Sequence, residues 1–432
     1  EGIYMRILII SYYFPPYNTI GAVRVGKMAK YLHTMGHEIM VVSAKDQPLQ
    51  PTLEVEIPSE KVIYTDWINI NAIPMLFLGG RDKIAAKGFS IDDFNRNLLR
   101  CLGNVYKMFL NFPDGQIGWY PYGVRAARQL LKTWRPDIIY ASAIPYTSLL
   151  IAYKISQEYH LPWVAEFRDL WTDHHHYIYP GMRRRIEQKL ERKILKTAKG
   201  AVTVSKPLAE ILRRKYDIPV KVILNGFDPE DFDNCPLSAS HNDDKRLKIV
   251  YTGSVYEGKR DPTPLFVALK SMGINAVENI NVEFYGRYLG VVADLSKKYC
   301  VENLVNVCPS IPYREALAKQ KSADVLLLLL WNDFKEKGVY SGKLFEYLGA
   351  RRPILAIGPE DNVAANLIIE RSAGVVATDP KNIADALNKW CLMKKEGIDF
   401  SIKHSMLDDL TRRYQTAILA NFLEDLLMRH KD

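Results

Sequence analysis

Short apolar segments alternate with amphipathic ones along most of the chain. The pattern predicts a buried strand at 5–11 (MRILIIS), an amphipathic helix at 22–35 that ends before Gly36, and a second strand at 38–44. An uninterrupted apolar segment of this length is typical of a strand covered on both faces, and glycine commonly follows the last residue of a helix. Strand, helix and strand in this order predict a βαβ unit with parallel strands.

The same alternation continues to residue 357. Further strands are predicted at 137–142, 163–167, 201–205, 247–252, 281–285, 304–308, 324–330 and 353–357. A polar stretch at 238–246 (SASHNDDKR) interrupts the pattern. Repeated βα units on both sides of it predict an α/β protein of two facing, doubly wound, Rossmann-like domains. We expect these domains at 1–235 and 236–405, with a C-terminal amphipathic helix within 406–432 that docks back on the first domain.

Composition is that of a folded globular protein. The 432 residues, of which 48% are hydrophobic and 25% charged, exceed what one ordinary core accommodates. The longest apolar run, 325–331, is much shorter than the roughly 20 residues of a membrane-spanning helix, and the five cysteines form no CxxC pair. We therefore expect a cytoplasmic protein without disulfides, zinc or a signal peptide. Residues 1–4 precede Met5 and are interpreted as an expression remnant.

The formal net charge of +9 favours anionic partners such as phosphates or an acidic bilayer. A predicted helix at 182–199 carries eight cations beside an apolar stripe of Ile186, Leu190 and Ile194, as helices on anionic membranes do. A solvated helix packed on its own domain explains the pattern equally well. Segment 73–112 fits no simple βα unit and is a candidate acceptor-side insertion. No nucleic-acid partner is expected, because the cations are not interleaved with aromatic residues.

The most specific segment is 340–353 (YSGKLFEYLGARRP). Ser341 is placed to cap a helix, and Lys343 and Glu346 lie on one face of it. The helix dipole, the free N–H groups near Ser341 and Gly342, and the charge of Lys343 suit a diphosphate. The carboxylate of Glu346 can accept both hydroxyls of a ribose. An ordinary surface ion pair between Lys343 and Glu346 remains an open interpretation of the same spacing.

Here the chain resembles a family, the retaining nucleotide-sugar glycosyltransferases of the GT-B fold, family four. The resemblance covers nearly the whole chain and rests on Phe14-Pro15-Pro16 with Gly21, Thr203-Val204-Ser205, Asn225-Gly226-Phe227-Asp228, Tyr251-Thr252-Gly253, and Lys343 to Tyr347 (KLFEY). It implies a nucleotide sugar held mainly by the second domain, an acceptor held mainly by the first, and transfer that needs neither a metal nor another cofactor.

Two departures from the family pattern bear on the site. The family often carries two glutamates eight positions apart, and Gly338 occupies the first position here. A subgroup acting on amino or deoxy sugars in bacterial surface polysaccharide pathways is similar in lacking it, and we expect backbone N–H groups at 338–341 to replace it. Ser254 follows Gly253 where the family commonly has an arginine. We therefore predict that Lys259 and Arg260 hold the diphosphate, with two solvated loop cations as the alternative.

In the first domain, Asp169 is the candidate carboxylate near the reacting centre, at the end of the strand Glu166-Phe167. A cap for a helix beginning at Leu170 is the alternative role of Asp169. The three consecutive histidines at 174–176 are interpreted as a loop, because no acidic cluster completes a metal shell. No GxGxxG follows a predicted strand and no GxxxxGK[ST] loop occurs, so hydride transfer and nucleotide hydrolysis are disfavoured.

Candidate acceptor contacts in the same domain are Tyr17, Tyr146 and Arg168. Gly21 lacks a Cβ and would let the backbone approach the donor phosphates or the acceptor closely. Asp169, Lys259 and Lys343 are the candidate catalytic residues.

These features predict a hexosyltransferase that takes its sugar from a UDP-linked donor. The predicted acceptor is a polyprenyl-diphosphate-linked saccharide, or another precursor of surface polysaccharide or lipopolysaccharide, met at the inner face of the plasma membrane. The family resemblance further implies that the departing phosphate itself accepts the proton of the acceptor hydroxyl. A sugar-nucleotide epimerase of the same fold and a non-catalytic partner subunit are the alternatives.

Overall fold

The computed structural model describes residues 3–70, 111–174, 177, 179, 181–233, 245–255, 258–331, 333 and 337–429. The predicted insertion at 73–112 lies outside these residues except for its last two positions. The chain divides into two compact units, Glu1–Ile223 with Thr416–Asp432, and Leu224–Gln415.

The first unit is built on a parallel sheet. Its strands are β1 (Arg6–Ser11), β2 (Glu38–Ala44), β3 (Val62–Thr65), β4 (Ile138–Ala143), β5 (Trp163–Phe167), β6 (Gly200–Thr203) and β7 (Val220–Val222). They lie in the order β3-β2-β1-β4-β5-β6-β7. Its helices are α1 (Ile20–Thr34), α2 (Tyr120–Leu130), α3 (Thr147–Tyr159), α4 (Gly181–Leu195) and α5 (Lys206–Lys215). Every residue of β4, β5 and β6 is buried, because helices cover both faces of the sheet.

The second unit repeats this architecture. Its strands are β8 (Leu247–Thr252), β9 (Ile280–Tyr285), β10 (Val305–Cys308), β11 (Val325–Leu329), β12 (Ile354–Ile357) and β13 (Gly374–Ala377). All are parallel, in the order β10-β9-β8-β11-β12-β13. Its helices are α6 (Pro229–Asp233), α7 (Thr263–Met272), α8 (Ile274–Asn279), α9 (Gly290–Lys298), α10 (Tyr313–Lys321), α11 (Gly342–Ala350), α12 (Val363–Glu370) and α13 (Pro380–Lys395).

The last helix, α14 (Arg412–Met428), begins in the second unit and continues into the first. Leu419 and Leu423 are fully buried there, in one hydrophobic cluster with Ile7 and Ile9 of β1. Two short 3-10 turns, His404–Met406 and Asp408–Leu410, precede the helix, which therefore starts later than the apolar pattern predicted. No helix among the described residues is both long and apolar enough to cross a bilayer.

Strand order reverses once in each sheet, between β1 and β4 in the first unit and between β8 and β11 in the second. In open α/β sheets, ligands bind beyond the carboxyl ends of the strands at such a reversal. The prediction of two doubly wound α/β domains is confirmed, and these two edges are where functional residues are expected.

Candidate functional site

The carboxyl end of β8 carries a glycine at a position where any other residue would be strained. Gly253 has φ +126°, and a Cβ there would lie 2.2 Å from Cε and 2.4 Å from Nζ of Lys343. Because glycine has no Cβ, the side chain of Lys343 can lie directly across the end of the strand. The motif Tyr251-Thr252-Gly253 and the motif around Lys343, which are far apart in sequence, thus form one site.

Lys343 lies in the first turn of α11 and is held by an aromatic residue. Its Nζ donates to the hydroxyl of Tyr251 at 2.7 Å and lies 4.1 Å from the ring centroid. The Tyr251 hydroxyl in turn donates to the backbone carbonyl of Ser254 at 2.8 Å. Burial first, and then the charge of Arg260, lower the pKa of Lys343 to about 7, against a smaller opposing effect of Glu346. The amine is therefore close to losing its proton at neutral pH.

Glu346 lies about one turn further along α11. Its Oε2 accepts a hydrogen bond from Nε2 of Gln320 at 3.1 Å. Burial raises the pKa of the Glu346 carboxyl, while Gln320, Lys343 and Arg412 lower it. Lys343 and Glu346 are each bonded to other partners, so the surface ion pair that their spacing also allowed is not formed.

The start of α11 faces the same edge of the sheet. Ser341 occupies the N-cap position with extended backbone, φ −67° and ψ 136°, but its side chain makes no capping hydrogen bond, contrary to the prediction. The first N–H groups of a helix have no partner within the helix. An anion at this end would meet these N–H groups and the positive end of the helix dipole.

The two predicted diphosphate cations differ in position. Arg260 is close enough to Lys343 for its charge to lower the pKa of that amine. Lys259 instead lies over the ring of Trp331, with its Nζ 4.6 Å from the centroid. The structure therefore groups Arg260 with Lys343, Gly253 and Ser254, whereas Lys259 packs on the aromatic residue that follows β11.

In the first unit, Arg168 occupies the space above Gly21. A Cβ on Gly21 would lie 2.0 Å from Nη1 of Arg168. The Nε of Arg168 donates to the Ala143 carbonyl at 3.0 Å, and its Nη2 donates to the Ile144 carbonyl at 2.6 Å. The group that occupies the space left by the missing Cβ of Gly21 is this guanidinium, and the approach of a ligand to the Gly21 backbone stays a prediction. Arg168 thus links the start of α1 to the end of β4.

The other predicted residues of this unit lie near the ends of β2, β4 and β5. Asp169 is half-buried in a bend after β5, and no helix begins at Leu170, so the alternative role as a helix cap is wrong. Tyr146 stacks on Trp171 at 4.8 Å and donates its hydroxyl to the Leu170 carbonyl at 2.8 Å. The hydroxyl of Tyr17 accepts the N–H of Asp46 at 2.5 Å. The acceptor roles of both tyrosines stay predictions.

Sequence reasoning missed a fully buried ion pair in the same unit. Nε of Arg24, on α1, lies 2.7 Å from Oε1 of Glu166 on β5, and both side chains are completely buried. Ser142 donates to the other carboxylate oxygen at 2.5 Å, and Nη2 of Arg24 donates to the Ile223 carbonyl at 2.9 Å. An arginine inside a helix normally signals a surface position, so no sequence pattern indicated this pair.

The histidine run gives no further information, since His175 and His176 lie outside the described residues. The expectations that no metal and no other cofactor are needed stay predictions.

A family model described as Glycosyltransferase Family 4 matches residues 21–231. The match covers a little under half of the chain and makes this part similar to the glycosyltransferases of that family. No curated protein gives a significant match to this glycosyltransferase.

Solved structures match the glycosyltransferase over nearly its whole length. A glycosyltransferase from Rickettsia africae ESF-5 is 15% identical with a TM-score of 0.63, over 98% of this chain and 99% of that chain. The lipopolysaccharide outer core galactosyltransferase WaaB, in its apo form, is 13% identical with a TM-score of 0.56, over 97% of this chain and 100% of that chain. The pneumococcal O-GlcNAc transferase GtfA, in complex with UDP and GlcNAc, is 10% identical with a TM-score of 0.56, over 98% and 99%.

At these identities the likeness shows the fold, which is the GT-B fold. Together with the family match, it makes the chain a glycosyltransferase of the GT-B type.

Proposed function

We propose that this glycosyltransferase transfers a hexose from UDP to a lipid-linked saccharide or another surface-glycan precursor, with retention of anomeric configuration. The observation that carries the proposal is the cluster of Gly253, Lys343 and Glu346 at the reversal between β8 and β11. It combines a cation at a helix N-terminus with a carboxylate one turn away. Those two groups match the diphosphate and the ribose of a nucleotide sugar.

In the proposed reaction, the bond between the sugar C1 and the phosphate oxygen breaks as the bond from C1 to the acceptor oxygen forms on the same face. The departing phosphate takes the proton of the acceptor hydroxyl, so no enzymic nucleophile is needed. Negative charge grows on the diphosphate during this step. Lys343, Arg260 and the first N–H groups of α11 are the groups that would stabilise that charge, and Lys259 would join them if it left Trp331.

The finer assignments rest on different observations. UDP as the nucleotide is supported by the pneumococcal transferase of this fold, which was solved with UDP. Lipopolysaccharide or a related surface polysaccharide as the pathway is supported by the likeness to WaaB. An amino or deoxy hexose is supported by Gly338, which stands where related enzymes often have a glutamate. Asp169 and Arg168 of the first unit are the proposed residues on the acceptor side.

The outer face of α4 supports an acceptor held at a membrane. The predicted apolar stripe of this helix is divided in the structure, because Ile194 is buried whereas Ile186 is 50% exposed, and Met182 beside it is 62% exposed. Residues Arg183, Glu187, Glu191, Ile194 and Leu195 form the buried face instead. Two exposed apolar side chains are thereby flanked by the exposed cations Arg185, Lys189, Arg192 and Lys193. Such a face suits the surface of an anionic bilayer, where a polyprenyl-linked acceptor would be met.

The experiment is a transfer assay with UDP-hexoses and UDP-amino or UDP-deoxy hexoses, each labelled at C1, and polyprenyl-diphosphate-linked saccharides. We expect one labelled donor to give a product whose new linkage keeps the donor's anomeric configuration by NMR. Lys343→Ala and Glu346→Ala should lose turnover, whereas Lys297→Ala and Glu302→Ala, exposed residues of the same unit, should keep it. Conversion of the donor sugar without acceptor would indicate an epimerase, and no conversion with any donor would indicate a non-catalytic subunit.

A further inference from the structure

Gln320 is a buried polar residue that contacts the site from a third element. It lies on α10 and its side chain is completely buried. Its Nε2 donates to Oγ1 of Thr252, at the end of β8, at 2.9 Å, and to Oε2 of Glu346, on α11, at 3.1 Å. One amide group thus ties the strand that ends at Gly253 to the carboxylate proposed to bind ribose.

When Glu346 is ionised, the amide has one favourable orientation. If it were flipped, its oxygen would face the carboxylate of Glu346, and two acceptors would repel each other. In the orientation present, Oε1 of Gln320 is buried and has no hydrogen-bond partner among the described residues. A buried oxygen without a partner is unfavourable, and a methionine of similar shape would avoid that cost. Packing alone therefore does not account for the amide, whereas its two N–H bonds do.

The N–H bond to Glu346 has a specific electrostatic effect. Burial raises the pKa of this carboxyl, and Asp231 of α6 raises it further. Opposing them are Gln320, Lys343 and Arg412, which favour the ionised form. Among the described residues, the side chain of Gln320 donates the side-chain hydrogen bond that Glu346 accepts. The charge of the same carboxylate, together with burial, raises the pKa of Tyr313, another residue of α10.

We propose that Gln320 is a positioning residue for the donor site, which holds one carboxylate oxygen of Glu346 and directs the other toward the ribose of the nucleotide. The inference rests on the proposed function, since it concerns the same site. It implies that Gln320 affects ligands that contain a ribose and leaves unchanged those that offer only a diphosphate.

The test is calorimetric binding of UDP and of inorganic pyrophosphate to the full chain at pH 6, 7 and 8. Gln320→Met keeps the volume of the side chain and removes both N–H bonds. We expect it to weaken UDP binding about tenfold and to leave pyrophosphate binding within about twofold of the unmodified protein. A role in folding alone would weaken both ligands together. Gln129→Met, at an exposed position of α2, is the matched control and should change neither affinity.

Gln320→Glu provides a second and opposite signature. Two adjacent carboxyls share one proton at low pH, so the protonated group can still donate to its neighbour. As the pH rises both ionise and repel. Relative to unmodified protein at the same pH, this variant should bind UDP almost normally at pH 6 and at least tenfold more weakly at pH 8.

The outcomes separate the inference from the proposed function. If the unmodified protein binds neither UDP nor pyrophosphate, the proposed donor site itself is wrong. If it binds UDP and both Gln320 variants bind UDP equally well at every pH, or lose UDP and pyrophosphate in parallel, the positioning role is overturned.

Discussion

Burial and the like charge of Arg260 favour the neutral amine of Lys343 over its ammonium form. The hydroxyl and the ring of Tyr251 contact Nζ and fix its position. A bound diphosphate would reverse this balance by supplying negative charge. Donor binding should therefore be coupled to protonation of Lys343.

The first prediction concerns the pH dependence of UDP affinity. The pKa of Lys343 is lowered to about 7, so the cation is present below pH 7 and is lost as the pH rises. Above pH 7, binding needs uptake of a proton, and the Kd for UDP should rise by at most about tenfold per pH unit. Lys343→Arg stays charged throughout and should show no such rise between pH 7 and 9. Parallel curves for the two proteins, measured by calorimetry, would rule out the coupling.

A second prediction tests the contact between Gly253 and Lys343. Gly253→Ala adds a Cβ that collides with the lysine side chain at a φ of +126°, so UDP binding should be lost and the unfolding free energy should fall by about 1–3 kcal/mol. Gly258→Ala is the control, because Gly258 also has a positive φ of +71° but has nothing within 4 Å of the new Cβ. This control should lose some stability and keep UDP binding. Equal UDP affinities for the two variants would contradict the assigned site.

The role of a single residue could be predicted only where one short sequence motif contains all the residues that define that role. The spacing of Lys343 and Glu346 within one helix is such a case. Tyr251 and Gln320 come from a strand and a different helix, and their part in the site depends on how three elements meet. A glutamine in a helix rich in polar residues carries no sequence signal of complete burial.

At the level of elements, β5 and α1 are joined by the buried pair of Arg24 and Glu166. Burial by itself raises the pKa of the Glu166 carboxyl, but the charge of Arg24, the hydrogen bond from Ser142 and the nearby hydroxyl of Tyr140 bring it below its ordinary value. The stabilisation from this pair is thus present above the ordinary pKa of a glutamate. It is lost as the pH falls through the lowered value in the folded protein.

The third prediction follows from that pair. Glu166→Gln removes the carboxylate charge that pairs with the buried guanidinium of Arg24 and should lower the unfolding free energy by about 3–5 kcal/mol. Glu158→Gln removes a carboxylate from the exposed pair with Arg128 and should cost less than about 1 kcal/mol. Urea unfolding at pH 7 measures both. Similar losses would mean that the buried pair is not what joins β5 to α1.

The fourth prediction concerns α4. Replacing Arg185, Lys189 and Lys193 with serine should reduce flotation of the protein with anionic vesicles about tenfold or more at low salt, because each cation near the surface contributes about 1 kcal/mol. The same three-charge change at Lys381, Lys389 and Lys395 of α13, also exposed, should have little effect. An unmodified protein that does not float, or a control that loses as much, would rule out this membrane surface.

The apolar stripe predicted for α4 did not show which of its residues are buried. Ile194 lies on the buried face and Ile186 does not, because ion-paired polar residues occupy much of that face. Arg183 bonds to Glu187 at 2.6 Å, and Glu191 accepts from Lys215 of α5 at 2.8 Å. A binary pattern treats charged residues as exposed, so it cannot identify a helix that buries an ion-paired face.

For the whole molecule, the doubly wound architecture could be predicted because its central strands are long and apolar. β5 and β8 begin and end at the predicted residues. β3, β7 and β13 were missed, and each is a strand of three or four residues at the edge of its sheet. The division of labour between donor and acceptor units came from the family resemblance and remains a proposal.

The central claim is that the edge between β8 and β11 binds the nucleotide diphosphate of a sugar donor. The most direct measurement is calorimetric titration of UDP into the unmodified protein, Lys343→Ala and Glu346→Ala, with Lys297→Ala and Glu302→Ala as controls. The account predicts a single site in the unmodified protein and both controls, and at least a tenfold loss of affinity in the two site variants. UDP binding that both site variants retain would contradict it.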